Sequence, residues 1–343
     1  MRNSLQNHLR SGWNALAPMA LTLLGVSVVV FVLMRVVPGD PVAMMIPPGA
    51  SEHDVLRLRA HYGLDRGLIE QYAVWVSNTL QGDLGNSISR KQAVTQLIAD
   101  HLPATLELAF TALMLALLLG TLVGVFSAAR HGQHSATLLD TLTALVQSIP
   151  DFLWGLLLIL IFGVWWFWLP ISGRVDPVLE FQSRLGFLFF ESLLSGNWRV
   201  TASVFWHSLA PAIALALPLA ALVARVLKAS MQEALASDYV RLARLKGASS
   251  KRVLFRHALP NSVTPTLQLA GVQFAFMLGG TVLIERLYSY PGIGALAIDA
   301  VIARDLPLIQ GIVLTFAVLF MLINLMVEGI TVWLNPRLWK EGA

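Results

Sequence analysis

The sequence predicts an all-α integral membrane protein with six transmembrane helices and a small helical subdomain on one membrane face. Apolar residues make up 56% of the chain and charged residues 13%, against the roughly 25% usual in soluble domains. Mean hydropathy is +0.67. The apolar residues also fall into six separated blocks, each near the ~20 residues that cross a hydrocarbon core of ~30 Å.

The first block, residues 19–37, follows Arg2 and Arg10 as a secretion signal would. It is too long for a signal core, and it runs into Arg35 and Pro38-Gly39-Asp40-Pro41 rather than a small-residue cleavage site. Residues 1–37 therefore read as a terminus and a retained first helix. Residues 38–103 are polar and read as the helical subdomain. In them Ser51-Glu52-His53-Asp54 offers a cap and an acid three residues on, Val55, Leu58 and Tyr62 keep a helical period, and Gly63 closes the helix. A second run carries Leu68, Tyr72, Trp75 and Leu80 before Gly82.

A five-helix core, residues 104–334, is expected next, with spans at 106–129, 138–169, 209–227, 263–284 and 308–333 and a tail at 335–343. Gly120 and Gly124, four apart on the second span, suit close helix packing. Trp165, Trp166 and Trp168 at the end of the third span suit an interfacial aromatic belt. Polar excursions follow at 170–207 and 286–307.

Short loops decide orientation, because Lys and Arg near helix ends resist translocation. The loop between spans four and five carries eight of the chain's 24: Arg225, Lys228, Arg241, Arg244, Lys246, Lys251, Arg252 and Arg256. It is expected in the cytoplasm, and with six spans both termini share its side. The same rule accounts for the net charge of +4 and the pI near 9.6 without a nucleic-acid partner. With no cysteine in the chain, disulfides and thiol chemistry are excluded. Neither a cofactor nor a metal site is expected, since His131 and His134 lack further ligands.

The basic loop, residues 228–260, is ordered. Ser237 and Asp238 make a helix start, acidic at the positive end of the dipole. Val240, Ala243 and Leu245 alternate with Arg241, Arg244 and Lys246, which makes an amphipathic helix, and Gly247 supplies its left-handed end. Ser249 can cap a second short helix running toward Pro260. About ten residues of helix span only ~15 Å, too short to cross a bilayer. Such a helix lies on the surface and serves anionic lipid or a protein partner equally well.

Ionisable groups within spans are costly and face a cavity or a partner. Asp151 follows Ser148-Ile149-Pro150 inside span three, while Asn324 and Glu328 are four apart on one side of span six. These three are the candidate cavity-lining residues, with an interhelical hydrogen bond the competing reading for each. Glu107 and Glu285 sit near span ends, within reach of water.

The loop resembles the Glu-Ala-Ala coupling loop of ABC importer permeases. With the family's glycine placed on Gly247, Arg241, Leu242 and Ala243 stand at the Glu-Ala-Ala positions, His257 at the isoleucine position, and Leu259-Pro260 at the end. Asp238 to Gly247 is closer to the version in the dipeptide, oligopeptide and nickel branch, with Leu242 and Leu245 substituted. That branch is also resembled at Pro38-Gly39-Asp40-Pro41, Tyr62-Gly63-Leu64-Asp65, Gly82-Asp83-Leu84-Gly85, Leu102-Pro103-Ala104-Thr105-Leu106-Glu107-Leu108, Ser289-Tyr290-Pro291-Gly292-Ile293-Gly294 and Asn335-Pro336-Arg337. Asp151 departs from it, standing where the family commonly has an apolar residue.

The resemblance implies a type I importer (MetI-like) permease fold in a bacterial inner membrane, with residues 38–103 periplasmic. It implies as partners a second, similar permease, two ABC ATPase subunits, a periplasmic substrate-binding protein and membrane lipid. Asp238, Tyr239, Arg241, Ala243, Arg244, Lys246, Gly247 and Pro260 would couple to the ATPase. The loop at 171–207 is similar to that of dipeptide-type members, which favours short peptides over nickel or another small solute as cargo.

No Gly-x-x-x-x-Gly-Lys-Ser/Thr run is present, so ATP hydrolysis is assigned to a partner and the chain is not read as an enzyme. Gly292-Ile293-Gly294 with Ala297 imitates a dinucleotide fingerprint but lacks a preceding strand, and reads as a turn. An ion-coupled secondary transporter, with Asp151 and Glu328 relaying charge, is the main rival; no inverted repeat supports it. A membrane scaffold would explain the outer subdomain but not the ordered loop.

Overall fold

The computed structural model describes residues 18–32 and 66–334, and among them every regular element is helical apart from one isolated bridge, Asn86 to Ala93. The expected helix around 51–63 and the tail at 335–343 lie outside the described residues. The first helix, α1, is Pro18–Val32. It is followed by α2 Leu68–Leu80, α3 Val94–Ala129, α4 His134–Ser148 and α5 Asp151–Leu158, which continues as wider π-helical turns over Ile159–Trp165. Next come α6 Leu188–Leu194, α7 Trp198–Ala236 and α8 Asp238–Leu245. The last three are α9 Ser250–Leu287, α10 Ile293–Ile302 and α11 Leu306–Leu334.

Four of these helices, α3, α7, α9 and α11, are long and apolar enough to cross a membrane, and α4 with α5 makes a fifth, bent crossing. The described part of α1 is apolar but shorter than a bilayer.

Two compact units divide the described residues, one reaching to Leu102 and including Leu296–Met321, the other holding Pro103–Ala295 and continuing from Leu322. In the first, Phe31 of α1 stacks edge-on to Tyr72 of α2 at 5.3 Å and lies 5.9 Å from Trp75. Ser27 and Tyr72 share a hydrogen bond of 2.7 Å. The second run expected in residues 38–103 thus forms its helix, and Gly82 leaves it with φ +85°. Beyond it the buried carboxylate of Asp305 accepts hydrogen bonds from Ser87 Oγ, from Ser89 N at 2.9 Å and from Ser89 Oγ at 2.7 Å. Burial opposes that charge, but the serine hydrogen bonds outweigh it and hold the carboxyl below its usual range.

The second unit is organised around α7, which touches α4, α5, α6, α8 and α9. At 39 residues α7 is about 58 Å long, and α3 at 36 is about 54 Å, so both outrun the hydrocarbon core. This is why α3 begins at Val94 rather than 106 and α7 at Trp198 rather than 209. The outer turns are helical because Asn197 caps α7, accepting from Val200 N, and because Pro103 is accommodated inside α3. Gly120 and Gly124 let α3 and α7 touch backbone to backbone. A Cβ at Gly120 would lie 2.7 Å from the Ala220 carbonyl, and one at Gly124 would lie 2.9 Å from that of Ala224.

Span three is not one helix. Its halves meet at 97°, because Pro150 has no N–H to donate and forces Ile149 out of the helical region, to φ −94° and ψ 123°. Span five differs in the opposite sense. The second short helix expected in the basic loop is the base of α9, which runs unbroken through Pro260. The ring's missing donor falls just after the π-helical turns at Val253–Ala258, where the ordinary hydrogen-bond register is already broken.

Candidate coupling surface and translocation cavity

At the end of α7, Ser237 turns extended, φ −71° and ψ 154°, and α8 starts at once. The serine does not cap α8 through its side chain, as its sequence position suggests. Its hydroxyl instead donates to the Ala234 carbonyl, satisfying the last turn of α7. Asp238 sits in the first turn of α8, where the helix dipole favours its charge.

The apolar face of α8 is not the expected one. Val240 is fully buried and Ala243 half-buried, but Leu245 is 80% exposed. Tyr239 and Leu242 are exposed with it, at 43% and 53%. Residues 239, 242 and 245 are spaced by three and form an apolar stripe facing away from the protein. Arg241, Arg244 and Lys246 are exposed beside it. Among the described residues nothing covers this face of α8.

Gly247 ends α8 at φ +81°. Its N–H donates to the Arg244 carbonyl at 3.0 Å, and Ala248 N donates to that of Ala243 at 3.1 Å, the paired bonds of a glycine C-cap. Ser249 caps α9 as expected, accepting from Arg252 N. Asn261 ties the two helices together, donating to Tyr239 Oη at 3.2 Å and to the His257 carbonyl at 2.7 Å. Pro260 lies exposed in α9 one residue before it, and Phe255, 56% exposed, adds a further apolar side chain. A groove of about 690 Å³ lies where the end of α3 meets α7, α8 and the base of α9, lined by His131, Gln232, Leu235, Arg244 and Lys251 among others.

Above α8, side chains fasten α7 to its neighbours. Lys228 pairs with Asp140 of α4, which also accepts from Ser127 of α3 at 3.0 Å. Gln232 bonds the His131 ring at 2.7 Å. Val125, Ala128, Leu227, Met231, Ala234 and Ala258 form one buried cluster beneath them. A push on α8 therefore meets a fastened rod rather than a loose loop.

Further along, the same rod lines a cavity of about 370 Å³ through Leu215, Pro218, Leu219 and Leu222. Asp151 stands in its wall at the start of α5, with Gln147 and Gln273. Asn324 is half-buried and Glu328 exposed on α11, and neither lines this cavity.

At the ends of the spans away from α8 the structure corrects a reading. Glu107 and Glu285 are buried, 5% and 0% exposed, rather than reaching water. Glu107 pairs with Arg174 at 2.6 Å and accepts from the backbone N–H of Phe189 at 3.0 Å. Glu285 accepts from Thr105 Oγ1 at 2.7 Å, Gly294 N at 2.8 Å and Ala295 N at 3.0 Å. Thr105 Oγ1 in turn accepts from Ile293 N at 2.9 Å. A carboxylate on α9 therefore holds the N-terminus of α10, and the Gly292-Ile293-Gly294 turn exists to admit it. Glu191, which the sequence did not single out, gathers the loop at 183–187 by accepting from Ser183 Oγ and from the N–H groups of Arg184, Leu185 and Phe187. Donation from Arg184 N and Ser183 brings its carboxyl down to about 2.

Residues 120–340 match the family described as binding-protein-dependent transport system inner membrane component, and residues 14–109 match its N-terminal companion family. The di/tripeptide transport system permease protein of Pseudomonas aeruginosa is 38% identical over 318 residues, 92% of this chain and 95% of its own. The dipeptide transport system permease protein of Escherichia coli K12 is 35% identical over 325 residues, with 92% and 95% covered. A glutathione transport system permease protein of Escherichia coli is 33% identical over 317, with 92% and 94% covered.

Proposed function

This chain belongs to the family of binding-protein-dependent transport system inner membrane components, and from that premise we propose that it imports short peptides as one permease subunit of an ATP-driven complex. It is a multi-pass inner-membrane protein of the ABC transporter permeases, not itself the catalytic subunit. In the proposed complex it pairs with a second permease and with two ATPase subunits that hydrolyse ATP. A periplasmic binding protein delivers the cargo, and both termini of this chain are cytoplasmic.

The observation that carries this reading is the exposed face of α8, with Tyr239, Leu242 and Leu245 unburied at the end of a fastened helix that also lines a cavity. Docked in a cleft of an ATPase subunit, α8 moves with that subunit. Because α8 follows α7 after one extended residue, the movement reaches the cavity through α7 without an intervening flexible loop. Arg241, Arg244 and Lys246 fit an acidic rim around that cleft, Ala243 permits close approach, and Gly247 sets the angle onto α9. Asp238 and Tyr239 hold the start of α8, and Pro260 the base of α9. Asp151 lines the path, and residues 38–103 form the outer subdomain.

Uptake tests the reading. A strain deleted for this chain is expected to lose ATP-dependent uptake of a labelled dipeptide such as Ala-Phe and to regain it from a plasmid copy. Uptake that persists unchanged in the deletion strain, in the absence of any second peptide importer, removes the peptide assignment.

A further inference from the structure

The cavity beside α7 has an electrostatic asymmetry that its apolar walls make consequential. Among the described residues that line it, Asp151 alone carries a formal charge, and no Lys, Arg or His is with it. One carboxylate oxygen of Asp151, Oδ1, accepts from Phe152 N at 2.8 Å. The other, Oδ2, points across to α9 at Gly280, where a Cβ would lie 2.8 Å from it. Glycine there leaves room for the oxygen that a side chain would take.

A carboxylate in a mostly apolar cavity calls for a ligand that brings donors and positive charge, since a half-buried charge is costly unless paired. Short peptides carry such a group at one end. The α-ammonium has three N–H donors and a full charge below its pKa of about 8. We propose that Asp151 receives the free α-ammonium of the peptide in transit, so that the path itself favours peptides with an unblocked amino end. This rests on the peptide-import reading above. The fold supplies the geometry: Pro150 breaks span three at 97°, which places Asp151 at the elbow, in the wall of the cavity.

The test uses the complete transporter in proteoliposomes, with its binding protein, and compares wild type with Asp151→Asn and Asp151→Glu. The probes are Ala-Phe and N-formyl-Ala-Phe. The variant-to-wild-type ratio of ATP-driven uptake cancels the preference of the binding protein, which is the same in both. Asp151→Asn is expected to cut Ala-Phe uptake about tenfold and N-formyl-Ala-Phe uptake less than twofold, and Asp151→Glu to restore most of the loss. A second readout uses Ala-Phe alone: between pH 7 and pH 9 the Asp151→Asn ratio should climb toward one as the peptide's amine loses its proton. A ratio that is equal for the two peptides and flat with pH overturns the inference and leaves peptide import standing. Uptake of neither peptide by the wild type would remove the peptide reading, and this inference with it.

Discussion

Glu285 accepts the backbone N–H of Gly294 at 2.8 Å, although the two residues belong to different helices joined by a tight turn. The bond anchors the N-terminus of α10 against α9, and the space it needs dictates the residue. A Cβ on Gly294 would lie 2.6 Å from the Val282 Cα and 2.9 Å from Glu285 Oε2. Gly294→Ala is therefore expected to destabilise the protein by about 1–3 kcal/mol, the usual cost of overpacking. Glu285→Ala orphans the buried Gly294 amide, at a cost on the order of 2 kcal/mol, and the partly buried Ala295 amide at less. Thermal unfolding in detergent checks both, and unchanged midpoints would show that the turn is free to rearrange.

At Gly247 the cost is conformational alone. No atom lies within 4 Å of where its Cβ would be, yet φ is +81°. Gly247→Val is expected to cost about 1–2 kcal/mol through the left-handed backbone, more than Gly247→Asn, which tolerates it. Membrane insertion should persist in both variants. Peptide-stimulated ATPase activity of the complex should fall several-fold in Gly247→Val and remain in Gly247→Asn.

Leu245, 80% exposed, discriminates docking from folding. Leu245→Glu should leave detergent stability within about 0.5 kcal/mol of wild type, as for other surface substitutions. Co-purification of ATPase subunits should drop sharply. Ala243→Trp, at a half-buried position, should lose the ATPase subunits as well, with an overpacking cost of about 1–3 kcal/mol. Full ATPase recovery in both variants would reassign α8 to anionic lipid.

Glu191 predicts a pH window. Its folded carboxyl stands at about 2 against an ordinary value of 4.5. A depressed acid stabilises the fold fully above its unfolded value and loses that contribution as pH falls through its folded value. Protection of residues 183–191 from proteolysis should hold from pH 7 to pH 5 and decay between about 4.5 and 2. Glu191→Gln should expose the loop at pH 7 already, as limited digestion with mass spectrometry would reveal.

The native absence of cysteine makes topology accessible. Single cysteines at Ser51, Ser183 and Ser250, probed with an impermeant thiol reagent in cells with a permeabilised outer membrane, should label at the first two and not at the third. Labelling at 250 without 51 would reverse the orientation.

Apolar blocks of bilayer length, Gly247 at a helix end and Ser249 at a helix start were all legible in the chain, because each depends on neighbours a few residues away. Composition alone placed the protein in a membrane, and the spacing of Gly120 and Gly124 foretold a close helix contact. What escaped the sequence depends on distant partners or on which side of a helix another element covers. Thr105 and Glu285 are 180 positions apart, so nothing local marked Glu285 as an anchor rather than a solvated acid. Leu245 looked buried by periodicity, and only the packing of Val240 against the protein decided that the other face is free. Pro150 and Pro260 are alike in sequence, yet one breaks a span by 97° and the other is carried through, its missing donor absorbed by the π-helical turns before it. Local chemistry set the elements and their ends; tertiary packing chose which surfaces, charges and breaks they expose.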